Sequence, residues 1–207
     1  MIINDVNTML MMKTSPLPTG YTLLNYLESD GTQYVTTGLM IDNGTPFKIK
    51  FRIVTTANPP SNLRDGIFGA RGNNYGWGLG YFRYNSVNYV AIYANGTSGT
   101  AMNAPDGQTW HSYDYTVEYR ADGGIYLDNV YIRTPTIASY TATSYSYVFK
   151  WNFASAQTDT TWRIYEFETT GCHMYPAMRD ADSVVGMYDV EQNVFRTNLG
   201  SGTFTYG

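Results

Sequence analysis

The sequence predicts one large all-β domain, on three observations. Tyrosine alone supplies 20 of the 207 residues and aromatics make up 16%. With abundant Thr and Gly, that is the chemistry of strands and turns rather than of helices. Phe47, Ile49, Phe51 and Ile53 alternate with Lys48, Lys50 and Arg52, a period-2 pattern with one apolar and one cationic face. Finally, residues 184–207 read as short extended runs broken by polar turns and closed by a last strand. A closing strand must pair with something already built. Residues 31–39 (GTQYVTTGL) have the alternation to supply that partner, so the two ends of the domain are expected in one sheet.

The chain divides into an arm, residues 1–18, and one domain, residues 19–207. The arm lacks a basic stretch ahead of a continuous apolar core and is a poor secretory signal. Val6, Met9 and Leu10 would share one side of a short amphipathic turn, which Pro16 and Pro18 end. Such a Met-rich arm can dock on a partner, or it can be a plain terminus. From Tyr21 onward the chain is a succession of strands. Burying Phe47, Ile49, Phe51 and Ile53 is worth about 1.5–3 kcal/mol each. A one-residue slip would turn three charges inward, so this register is firmly set.

A proline-containing loop at residues 57–64 leads into residues 66–70 and then a glycine-rich run, residues 71–84 (RGNNYGWGLGYFRY). Its Gly-x-Gly spacings have no helix after them, so they do not make a phosphate cradle. Glycines in a strand instead let a ligand or another backbone approach closely. Asn73, Asn74, Tyr75 and Trp77 form the candidate glycan-binding patch, since rings stack on sugars and amides hydrogen-bond them. A turn followed by a strand with a buried Trp77 is the alternative. Residues 89–93 are the next strand. Residues 110–120 alternate as one strand, and residues 121–124 form a hairpin loop from which residues 125–132 return antiparallel. Residues 145–153 and 161–169 are expected to pair with each other. No repeat of solenoid length is visible.

Chemistry-bearing residues are sparse. The net charge of −4 argues against nucleic-acid binding, and no apolar run is long enough for a membrane-spanning helix. Cys172 and His173 are neighbours, which a strand points to opposite faces. One Cys and two His, without ligand spacing, do not make a zinc site, so no metal site is assigned. Calcium is the one cofactor kept open, through loop oxygens at Asp42-Asn43-Gly44, Asp122-Gly123 and Asp128-Asn129, although each is also ordinary turn chemistry. Glu166 and Glu168 share a strand face, as do Asp114 and Glu118, and both pairs are expected to face solvent. No catalytic constellation emerges, and a non-enzymatic protein is expected.

The two ends carry a resemblance. Residues 17–38 (LPTGYTLLNYLESDGTQYVTTG) resemble an opening found in many phage, prophage and gut-bacterial surface proteins. Residues 175–180 (YPAMRD), 185–189 (VGMYD), Val194, Phe195, Asn198 and 200–204 (GSGTF) are similar to the closing motif of the same group, and residues 68–71 (FGAR) fit its middle. The resemblance implies a concanavalin A-like (laminin-G-like) jelly roll, a sandwich of two antiparallel sheets. It implies as function a virion structural protein at the particle surface: a capsid decoration, fibre or tail component. Partners would be other virion proteins or further copies of the chain, met through the arm, and possible glycan receptors. A carbohydrate-binding module or lectin of a bacterial cell-surface protein is the alternative. The shared residues are mainly turn glycines, Asn and strand aromatics, so the resemblance supplies no binding site. A near-stand-alone domain with a short arm fits a virion component better than a glycanase module.

Overall fold

The computed structural model describes residues 15–55, 64–71, 76–94, 100–105, 109–111, 113–152 and 160–207. Among the described residues every regular element is a strand, and the strands form two open antiparallel sheets. The larger sheet runs β11 (Val130–Arg133), β10 (Ile125–Leu127), β9 (Tyr115–Tyr119), β4 (Phe47–Ile53), β13 (Trp162–Thr169), β14 (Cys172–Arg179), β15 (Val184–Asp189), β16 (Val194–Thr197). Three short strands join it: β1 (Tyr21–Leu23) on β14, β2 (Leu27–Ser29) on β13, and β17 (Thr205–Tyr206) on β2. The smaller sheet runs β3 (Val35–Thr36), β12 (Tyr147–Val148), β5 (Arg64–Arg71), β6 (Gly76–Tyr84), β7 (Val87–Tyr93), β8 (Thr100–Met102).

Rings from both sheets interlock to make the core. Phe68 of the smaller sheet sits 5.1 Å from Phe47 and 4.6 Å from Phe167 of the larger, and Tyr81 sits 6.0 Å from Trp162. Phe47, Ile49, Phe51 and Ile53 are all buried here, as the alternation of β4 requires. A second, smaller cluster lies on the opposite face of the larger sheet. Leu17, in the stretch read as arm, packs there with Ala177 and Tyr188. The rest of that stretch through residue 14, including Val6, Met9 and Leu10, lies outside the described residues.

Three pairings and one strand boundary differ from what the sequence predicts. The closing strand β17 pairs with β2 rather than with residues 31–39. Those residues instead meet the turn before it: Leu199 N–H donates to Tyr34 O (2.8 Å) and the Asn198 carboxamide accepts from Tyr34 N–H (3.1 Å). Residues 125–127 return antiparallel on β9 as expected, but the chain then turns back on itself, because Asp128 and Asn129 both take positive φ (49° and 67°) and make the two-residue turn between β10 and β11. Residues 110–120 are a strand only from Tyr115, since Trp110 turns into the core and packs 4.9 Å from Tyr115. The segments around β12 and β13 go to different sheets. Apolar alternation marks each of them as a strand but does not name the layer it joins.

The glycine-rich run makes room for protein, not ligand, at its described positions. Gly69 and Gly78 face each other across β5 and β6, and a Cβ on either would overlap the other strand's backbone. Their φ values of +132° and +154° add a conformational reason for glycine. Gly66 and Gly80 leave a slot on the same sheet that the Trp151 ring fills, with its indole N–H donating to Leu79 O at 3.0 Å.

Candidate functional site

Trp77 is a correction to the candidate glycan patch. Its indole is 1% exposed, edge-on to Tyr119 at 4.9 Å and to Phe47 at 5.9 Å, with Nε1 donating to Thr45 O at 3.0 Å. A ring with no open face cannot stack on a sugar. It stands on the inward side of β6 with Leu79 and Tyr81, where the core demanded large apolar groups. Asn73, Asn74 and Tyr75 lie outside the described residues.

The aspartates considered for calcium are engaged by donors of the protein itself. Asp42 accepts from Ala142 N–H, Asp122 from Gly124 N–H and Tyr126 O–H, and Asp128 from Thr116 N–H. Asn43 donates to the carbonyls of Ala94 and Ala138. Among the described residues the group that gathers three ligand-type side chains is elsewhere: Glu166, Glu168 and His173.

That group belongs to the outer face of the larger sheet, which carries the candidate site. On β4 the outward side chains are Lys48, Lys50 and Arg52, and neighbouring strands answer them with carboxylates. Registry places Tyr131, Tyr126, Glu118, Lys48, Glu168 and His173 in one row across six strands. Lys48 Nζ lies 3.5 Å from Glu166 Oε2, and Arg52 Nε 2.6 Å from Asp114. Arg163 pairs with Glu28 at 2.7 Å and lies over the Tyr26 ring at 3.9 Å. Asp114 also accepts from Tyr165 O–H at 2.7 Å. The cationic face therefore meets acidic strands of its own sheet, and the pairs expected in solvent are half-buried in this lattice.

A bulge builds the carboxylate pair. Strict alternation from Trp162 and Ile164 would send Glu166 and Glu168 into the core with them. Between Ile164 and Glu166 the register against β4 shifts, so Tyr165 and Glu166 both point outward. The tight β13–β14 turn, with Gly171 at φ 79°, then sets Glu168 opposite His173. His173 Nε2 and Glu166 Oε1 are 2.8 Å apart, while Tyr175 lies against the imidazole at 4.5 Å, tilted 33°. The His173 backbone N–H donates to Asp189 at 3.2 Å, which fixes the strand beneath the ring. The shared hydrogen bond raises the His173 pKa above 6.5 and holds the Glu166 carboxyl below 4.5, with Lys48 adding to the latter. Glu168 makes no hydrogen bond or ion pair with the described residues. Its carboxylate borders a groove of about 490 Å³ lined by Lys48, Glu118, Arg120, Thr170 and Glu191.

Cys172, one residue before His173, is in the core and fully buried, which pushes its thiol pKa up. The two side chains are on opposite faces of β14 and form no dyad. Sequence reading placed Glu166 and Glu168 together but missed His173 as their neighbour. The signal was present in Thr169-Thr170-Gly171-Cys172, a two-residue hairpin turn that fixes the register across it.

No protein-family model matches the chain, and no curated protein matches it either.

Proposed function

We propose that the chain is a non-enzymatic structural protein of a phage particle, a capsid decoration, fibre or tail component displaying a concanavalin A-like jelly roll. The observation that carries this reading is the job done by the residues on which the resemblance rests. Asn198 accepts from Tyr34 N–H and from Gly200 N–H, Gly200 has no room for a Cβ against the Thr32 carbonyl, and Phe204 closes the core 4.8 Å from Phe149. The terminal motifs thus lock opening and closing segments together, which supports a shared fold rather than a chance likeness. On this reading the partners are other virion proteins or further copies of the chain, reached through Val6, Met9 and Leu10. Mass spectrometry of purified particles tests it: the protein is expected at stoichiometric level, and its absence from particles sinks the proposal. Deleting residues 1–14 is expected to abolish incorporation while leaving the domain folded.

A second reading, a carbohydrate-binding module at a bacterial cell surface, is favoured by the outer-face groove and by tyrosines elsewhere on that face. Arg120 lies over Tyr126 at 3.8 Å, and Tyr131 beside it is 55% exposed. Aromatic faces beside paired charges suit polyhydroxylated ligands. Binding to a panel of bacterial and mucin glycans, with and without a chelator, tests this reading. Specific binding lost in Tyr131→Ala moves the assignment to recognition, and no binding at millimolar glycan removes this reading.

A further inference from the structure

We propose that Glu166, Glu168 and His173 form a binding site for one divalent transition-metal ion of the zinc class on the outer face of the larger sheet. Each offers one donor atom, and the three lie within 4.8 Å of one another. Donors sharing an ion with bonds of about 2.0–2.2 Å stand roughly 3–4.4 Å apart, so small torsional adjustments close the site. An imidazole with two carboxylates suits zinc and its neighbours better than calcium, which prefers oxygens alone.

Three features beyond proximity point the same way. The bulge at Tyr165–Glu166 brings the second carboxylate to the outer face, where regular alternation would have sent it inward. Glu168 makes no hydrogen bond or ion pair with the described residues although it stands close to another carboxylate, an arrangement that a cation relieves. His173 is held from behind by the Tyr175 ring and by the backbone bond to Asp189, the kind of support that orients a ligand imidazole. Lys48 is the competitor. Its ammonium, 3.5 Å from Glu166, partly occupies the electrostatic role of the ion and must swing away when the metal enters.

The site does not depend on the virion reading. A particle protein without zinc and a zinc-binding surface module are distinct outcomes of distinct experiments. Calorimetric titration of the full chain with zinc chloride, repeated with cobalt chloride while following its visible absorption, tests the site directly. One ion per chain is expected at micromolar affinity, with a cobalt spectrum of low coordination number. Glu168→Gln and His173→Gln are each expected to weaken binding by at least roughly tenfold. Lys48→Met is expected to tighten it, by roughly tenfold, because a positive charge about 5 Å from the ion is removed. Glu168 makes no hydrogen bond, so Glu168→Gln leaves the fold intact, and Lys48→Met reads the site through a gain. No binding of zinc or cobalt at high micromolar concentration overturns the proposal. So does binding that Glu168→Gln and Lys48→Met leave unchanged.

Discussion

At the scale of single residues, the larger sheet's outer face shows how neighbours, not residue type, set chemical behaviour. His173 gains a partner in Glu166, so its folded pKa lies above the unfolded value of 6.5, and the carboxyl lies below its own 4.5. The imidazole contribution to stability is fully present below pH 6.5 and is lost as pH rises through the raised folded value. The carboxylate contribution is present above pH 4.5 and is lost as pH falls through the depressed folded value. Both operate between about pH 4.5 and 6.5. The melting-temperature gap between the parent chain and His173→Gln is therefore expected to be largest in that window and to shrink on the alkaline side. Metal-free thermal scans across pH check this, and a gap independent of pH would show that the contact is not an ion pair. Trp77 makes the complementary point. Leu79 and Tyr81 share its inward side of β6. The glycines between them carry no hydrophobic signal, however, so the sequence alone left the ring free to be read as a surface platform. Trp77→Ala is expected to cost about 3–5 kcal/mol, the range for emptying a large aromatic site, and chemical denaturation measures it.

At the scale of elements, strands were legible and their partners were not. The β4 alternation gave its buried set and its register without ambiguity, because a slip would bury Lys48, Lys50 and Arg52. No such penalty links the β12 segment to β13, and they join different sheets. The β13 bulge was harder still, yet it left a trace. Trp162, Ile164, Glu166 and Glu168 share one parity, and an apolar pair followed by an acidic pair cannot all face a core. Either the strand ends or a bulge intervenes, and the hydrogen-bonded register to β4 shows the bulge. Glycine placement in β5 and β6 follows similar logic: the slot at Gly66 and Gly80 exists for a ring from a distant segment, which local sequence does not name. Gly80→Ala would bring a Cβ to 2.6 Å from Trp151 Cζ2 and 2.9 Å from the Asp65 carbonyl. Overpacking of this kind costs about 1–3 kcal/mol. The variant is expected to shift tryptophan emission to the red as Trp151 loosens, whereas an unchanged spectrum and midpoint would mean that the slot has slack.

At the scale of the whole molecule, the two ends of the domain hold each other. Thr205 lies opposite Glu28 although 177 positions separate them. Backbone bonds from Asn25 and Tyr26 reach Gly207, and Ser201 N–H reaches Thr32 O. The expectation that the ends meet in one sheet was readable because a terminal strand must satisfy its backbone groups. Which early segment serves was not readable, because β2 is only three residues long and residues 31–39 alternate more convincingly. The closing segment earns its place through one side chain. Phe204 is 4% exposed within the main core, whereas Tyr206, in the strand itself, is 50% exposed. If the ends are held mainly by burial, Phe204→Ala is expected to cost about 3–5 kcal/mol and Tyr206→Ala no more than about 0.5 kcal/mol. If the short ladder of β2 and β17 dominates, the two variants should differ little, because neither substitution removes a backbone donor. Urea unfolding of both variants decides between these, and the slope of each transition adds a second reading. A Phe204→Ala chain that frays locally loses surface exposure on unfolding, so its slope falls; one that stays cooperative keeps the slope and moves only the midpoint. A fall in slope would make the closing segment a separable latch on a sandwich that stands without it. An unchanged slope would make the pairing of the chain's ends part of the same cooperative unit as β4 and β13.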